Sequence, residues 1–150
     1  MSICLIDTSI LCEILEVPKL CRDPKAVLSE LEAKLRRGES FLLPMSSIIE
    51  TGNHIGQVGD GRQRRATAEK FVLRMQQAIR GEAPFAPTPF FEPDAVLAWL
   101  SEFPDWAARG SGLADLTILK EFEKQCGLNR HRRVYIWTTD RHLSAYDRRP

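Results

Sequence analysis

Apolar positions along this chain come in two kinds of run, and their alternation predicts the elements. Ile3 to Ile6 is a short continuous apolar run that stops at Asp7-Thr8-Ser9, after which Ile10, Leu11, Ile14 and Leu15 recur at helical spacing. This reads as strand, turn, helix. Pro24 opens a second helical stretch with Val27, Leu28, Leu31 and Leu35 as its apolar stripe, and Gly38 stands where that helix should stop. Phe41 to Leu43 predicts a second strand. Beyond Pro44, Ser46 and Ser47 start a helix through Ile48, Ile49 and Glu50, which the glycines at 52, 56, 59 and 61 break or end.

The basic segment that follows predicts a long amphipathic helix with Phe71, Val72, Met75 and Ile79 on its inner face. Pro84, Pro87, Pro89 and Pro93 leave room only for a short strand near Thr88 to Phe91, before Asp94 caps a helix carrying Val96, Leu97 and Leu100. Gly110-Ser111-Gly112 leads into a helix with Leu113, Leu116, Leu119 and Phe122 facing inward. Val134 to Trp137 is the last clear strand, closing at Thr138-Thr139-Asp140, and a short helix with Leu143 and Tyr146 follows. Strands alternating with helices imply an α/β fold with a parallel sheet covered on both faces, because right-handed crossovers place helices there. No repeat or composition break divides residues 1–150, so one domain is expected.

Composition narrows the class. A hydrophobic content of 43% over 150 residues is enough for a substantial core. The start of the chain has no basic leader and its apolar run is cut by Asp7, which does not read as a signal peptide. No apolar stretch approaches the ~18 to 20 residues that span a bilayer, so no membrane association is expected. Cys4, Cys12, Cys21 and Cys126 show no C-x-x-C spacing, and reduced thiols in a cytoplasmic protein are the expectation. Nor do His54, His131 and His142 supply a tight zinc pattern with them.

The net charge of +1 conceals segregation. Between Gly61 and Arg80 six bases face Glu69 alone, and from Lys124 onward seven bases face Asp140 and Asp147, a balance of +5 in each segment, so the rest carries −9. Bases flanking an acidic, cation-loaded centre suit a polyanion. Solvated helix faces would produce the same pattern.

Asp7 and Asp140 follow apolar strands, and Glu50 lies in the first turn of a helix after another. In an open parallel sheet these positions share one edge, the carboxyl ends of the strands, where ligands bind. Asp115 joins them at the start of its helix, interrupting the apolar face of Leu113, Leu116 and Leu119. Each acid also has a local explanation. Ser47 to Glu50 fits a capping box, Asp7 and Asp140 fit N-caps, and Asp115 suits a helix dipole. Four converging carboxylates, however, raise one another's pKa unless a cation neutralises them, and Mg²⁺ or Mn²⁺ prefers such oxygen ligands and activates water. Thr8, Ser9 and Thr138 flank the acids, placed either to orient them or to serve local turns.

These residues resemble those of the PIN-domain nucleases and, within them, the VapC-type toxins of toxin/antitoxin modules. The resemblance rests on Leu5-Ile6-Asp7-Thr8-Ser9, Ser46-Ser47-Ile48-Ile49-Glu50, Leu113-Ala114-Asp115-Leu116-Thr117-Ile118 and Thr138-Thr139-Asp140, in that order over nearly the whole chain. It implies a three-layer α/β/α domain with a central, mostly parallel sheet of four to five strands, and an Mg²⁺- or Mn²⁺-dependent endoribonuclease. Asp7 and Asp115 would be metal ligands, Glu50 would complete the site, and Asp140 would bind metal or position water. It further implies a homodimer, neutralisation by a small cognate antitoxin, and products with 5′-phosphate and 3′-hydroxyl ends. Ser9 stands where many members have Asn. For phosphate contacts the expected bases are Arg62, Arg64, Arg65, Arg132 and Arg133.

Competing classes fit less well. A phosphoaspartate receiver needs an acidic pair near the first strands and a lysine after the last, and no lysine follows Lys124. A haloacid-dehalogenase-like phosphatase needs an Asp two residues after the first, where Ser9 stands. A catalytically inactive PIN-like module that binds RNA or protein, or a non-toxin PIN nuclease of RNA processing, are the remaining alternatives.

Overall fold

Strand β1 (Ile3–Ile6) is buried at every position, because its alternate side chains enter two different cores. Cys4 and Ile6 point to one face of the sheet, Ile3 and Leu5 to the other. The computed structural model describes residues 1–150, and around β1 it places β2 (Ser40–Pro44), β3 (Phe85–Thr88), β4 (Val134–Trp137) and β5 (Asp147–Arg148) in the order β3-β2-β1-β4-β5. The first four are parallel, with Leu5 beside Leu42 and Ile136, and β5 runs antiparallel to β4. Seven helices cover both faces: α1 (Thr8–Ile14), α2 (Pro24–Arg36), α3 (Met45–Gly56), α4 (Gly61–Ile79), α5 (Pro93–Leu100), α6 (Phe103–Ala108) and α7 (Leu113–Leu128). The architecture is three-layer α/β/α with a mostly parallel five-stranded sheet.

The two cores are unequal. Helices α1 to α4 close the larger one over Phe41, Leu43, Phe85, Tyr135 and Trp137. Helix α7 closes the smaller one with Ile118, Leu119 and Phe122 against Leu5, Val134 and Ile136. None of the helices is long and apolar enough to cross a membrane.

Several local expectations need correction. The third strand is Phe85–Thr88 rather than 88–91, and it tolerates Pro87 because β3 is an edge strand, where a missing N–H breaks no ladder on its outer side. Helix α3 starts at Met45 and continues through Gly52 to Gly56, so Glu50 stands in its second turn and not its first. Gly52 lies against the Phe71 ring, which a β-carbon there would meet at 3.8 Å. In α4 the inner face is Thr67, Phe71, Met75 and Ala78, while Val72 and Ile79 face outward. In α2 the inner face is Val27, Leu31 and Lys34, with Leu28 and Leu35 exposed. Helix α5 begins after Glu92 without a side-chain cap, and buries Trp99 instead of Leu97 and Leu100. Helix α6 and strand β5 were not expected, since six and two residues give too short a pattern to read.

Candidate active site at the carboxyl ends of the strands

Asp7 ends β1 and caps α1, and its backbone N–H donates to Trp137 O at 3.1 Å, tying it to the end of β4. Its carboxylate is fixed by hydroxyls. Ser9 Oγ donates to Asp7 Oδ2 at 2.9 Å and Thr138 Oγ1 donates to the same oxygen at 2.7 Å. Each hydroxyl accepts in turn from a backbone N–H, Thr139 N on Ser9 and Asp140 N on Thr138, both at 3.0 Å. Every hydroxyl lone pair and proton needed for this arrangement is thus accounted for. Asp7 is 7% exposed, and its Oδ1 is left without a protein partner.

The other acids repeat the theme of one oxygen held and one left open. Thr8 Oγ1 donates to Glu50 Oε2 at 2.8 Å, and Gly112 N donates to Asp115 Oδ2 at 3.0 Å. Asp140 Oδ1 accepts from His142 N at 2.7 Å and Leu143 N at 3.2 Å; it is not the N-cap of the short 3-10 turn Leu143–Ala145, which is His142, but it holds the turn before it and occupies one oxygen only. The capping-box explanation of Glu50 does not hold, because Ser47 Oγ donates to Ile6 O at 3.0 Å and anchors α3 to β1. No lysine or arginine pairs with any of the four acids. The one basic side chain within 4 Å of any of them is His54, whose Nε2 lies 3.7 Å from Glu50 Oε1.

Burial, with the charges of Asp7 and Asp115, pushes the Glu50 carboxyl above its usual range, against the opposing Thr8 hydrogen bond. Burial, with Asp7 and Asp140, does the same to Asp115 against the Gly112 hydrogen bond. The four carboxylates therefore form one electrostatic unit. They line a single cleft of about 690 Å³ between α1, α2, α3 and α7. No protein-family model, curated protein or solved structure matches the chain.

The donor set is all oxygen, which suits a hard divalent cation. No three His, Cys, Asp or Glu side chains stand close enough to enclose an ion between them. A cation bound here would take no more than one or two of these carboxylates and would keep its remaining water, as Mg²⁺ does.

The expected phosphate contacts divide. Arg132 and Arg133 precede β4 and stand at the amino ends of the strands, the opposite edge from the acids. Arg132 donates to Met1 O and Ser40 Oγ, both at 3.1 Å, and Arg133 makes two 2.8 Å bonds to Asp147. These two arginines do not share a face with the acidic site. Arg62, Arg64 and Arg65 lie in the first turns of α4 outside the cleft, with Arg64 donating to Val58 O and Arg65 paired with Glu69. The cleft contains instead Lys19, Arg22 and His54, which the sequence reading missed. Lys19 and Arg22 sit on an irregular loop where no periodicity marks a direction. His54 had a findable signal, since it stands four residues after Glu50 on the same helix.

Proposed function

We propose that this protein is a PIN-like, Mg²⁺- or Mn²⁺-dependent endoribonuclease that hydrolyses RNA phosphodiester bonds. The observation that carries the reading is that four carboxylates share one cleft in which no lysine or arginine pairs with them, and that burial and the neighbouring acids push Glu50 and Asp115 up. A site kept in that state is suited to an external cation. When bound, the cation would supply a water of lowered pKa and stabilise charge at the phosphorus.

The chain's own residues have separable duties in this account. Ser9 and Thr138 hold Asp7, a cleft-lining residue, through Oδ2 and leave Oδ1 without a protein partner. Thr8 likewise holds Glu50 through one oxygen, and the start of α7 holds Asp115. Asp7 and Asp115 would be the direct ligands, Glu50 would complete the set through the cation's water, and Asp140 would bind or position water. The order of the motifs, together with the three-layer fold, supports the wider reading of a cytoplasmic toxin, dimeric and neutralised by a small antitoxin.

The test is cleavage of a mixed cellular RNA pool with Mg²⁺ or Mn²⁺, with an EDTA control, by wild type, Asp7→Asn and Asp115→Asn. Cleavage by wild type alone, abolished by EDTA, is the expected outcome. Equal behaviour of three folded proteins would overturn the catalytic reading in favour of a non-enzymatic RNA- or protein-binding module.

A further inference from the structure

Seven acids line the cleft, yet its only lysine and arginine, Lys19 and Arg22, form no ion pair with any of them. Their loop is not loose. Val17 is fully buried, and both oxygens of the buried Glu13 are committed to the loop's backbone, Oε1 to Arg22 N at 2.8 Å and Oε2 to Asp23 N at 3.1 Å. Two non-glycine residues in the chain have positive φ, and both are here. Glu16, at φ 53°, has a local reason: Val17 N bonds back to Cys12 O and Glu16 N to Glu13 O, which closes the end of α1. Lys19, at φ 67°, follows Pro18 in a turn closed by Leu20 N on Val17 O. Glycine or asparagine is the unstrained choice at that third turn position. A lysine held there lines the acidic cleft and also a second one of about 480 Å³ at the corner of α3 and α4, which shares Lys19, Leu20 and His54 with the first. The second cleft ends at Gln63, beside the unpaired Arg62 and the rest of the basic start of α4.

We infer that the two clefts form one continuous track for an RNA strand, in which Lys19 and Arg22 hold backbone phosphates and the α3–α4 corner carries the strand away from the acids. This rests on the ribonuclease reading and names the contacts that bring a polyanion to an acidic centre. Unpaired cations at the wall offset the repulsion that seven carboxylates exert, and the basic turn of α4 gives the first charged segment of the sequence a place on the same path.

The experiment measures binding of a fluorescent, unstructured RNA oligonucleotide in EDTA, over a range of salt, alongside cleavage with Mn²⁺. Four proteins are compared: wild type, Lys19→Gln/Arg22→Gln, Lys19→Gly, and Arg36→Gln/Arg80→Gln, which loses the same charge outside both clefts. Lys19→Gly removes the charge while relieving the positive φ, so a binding loss there is not a folding defect. The expected result is affinity weakened by roughly tenfold or more in the cleft double variant, with the slope of log K against log salt shallower by about 1.4, from ~0.7 per phosphate contact on a single strand. Lys19→Gly should show about half that slope change, and Arg36→Gln/Arg80→Gln should bind as wild type. If wild type cuts RNA but the cleft variants match Arg36→Gln/Arg80→Gln in affinity and slope, the track is wrong and the nuclease reading stands. If wild type neither binds nor cuts, both fall.

Discussion

The two ends of the parallel strands treat charge in opposite ways. At the amino ends every buried charge has a protein partner. Lys34, 6% exposed, donates to Tyr135 Oη at 2.6 Å, lies over the Tyr135 and Trp137 rings, and has Glu30 within 3.4 Å. Tyr135 in turn donates to Glu39, which also receives Arg37, and Arg133 grips Asp147 with two bonds. At the carboxyl ends Asp7, Glu50, Asp115 and Asp140 are held by hydroxyls and backbone N–H groups, which orient carboxylates without cancelling their charge. The same sheet thus has an electrostatically closed end, where charges are paired, and an open one, whose four carboxylates have no lysine or arginine partner.

The pKa directions follow the same division. Burial alone would raise Glu39, but the hydrogen bonds from Tyr135 and Arg37 and the charge of Lys34 bring it below its usual range. Its stabilising contribution is present above the unfolded value of 4.5 and is lost as pH falls through the lowered folded value. Glu50 and Asp115 are raised, so the folded protein binds their protons first, and stability should rise as pH falls from neutral through the raised values. Among the carboxylates, Glu39 at the closed end therefore loses its contribution in acid, whereas Glu50 and Asp115 at the open end are penalised at neutral pH and above.

Breaking the open end should affect activity most. Asp7→Asn is expected to lower RNA cleavage by about 100-fold or more, with little change in thermal stability, when rates are read as single-turnover cleavage. Breaking the closed end should do the reverse. Lys34→Ala strands the Tyr135–Glu39 pair and removes a buried cation, which should cost about 2–4 kcal/mol by urea unfolding while the remaining folded fraction cuts normally. Arg133→Gln, at a half-exposed pair, should cost only about 0.5–1 kcal/mol and leave RNA affinity unchanged. Glu50→Gln should have the smallest effect and the opposite sign: at pH 7 without divalent cation a gain of about 0.5 kcal/mol, or ~2 °C in Tm, that disappears near pH 4. A loss of stability in Glu50→Gln at pH 7 would mean that the open end is not strained by its own charge.

Much of the open end was legible because an acid directly after an apolar strand can lie at only one edge of a parallel sheet. Asp7 and Asp140 carry that signature, and Asp115 breaks an apolar stripe. Glu50 was found for an incomplete reason, since the S-x-x-E pattern suggests a cap where the fold uses Ser47 to anchor α3 to β1. The closed end was not legible. Arg132 and Arg133 look like any exposed basic pair until Asp147 and Ser40 are known to lie beside them, contacts made by chain segments far apart or by the two-residue β5. Lys34 sits among leucines in α2, and its burial depends on the aromatic rings of β4, 101 positions later. The loop from Val17 to Arg22 escaped for a third reason. Its order comes from Glu13 capping two backbone N–H groups, a bond pattern without periodicity.

The contrast between the two ends is tested most directly by Mn²⁺ binding to the purified protein, read by calorimetric titration and by the rise in Tm with added Mn²⁺. The account predicts saturable binding and a stabilising shift in wild type and in Arg133→Gln, with both effects weakened at least about tenfold in Asp7→Asn and Asp115→Asn. Absence of binding to wild type, or equal binding to the aspartate variants, would contradict the claim that the carboxyl ends of the strands are held open for a cation.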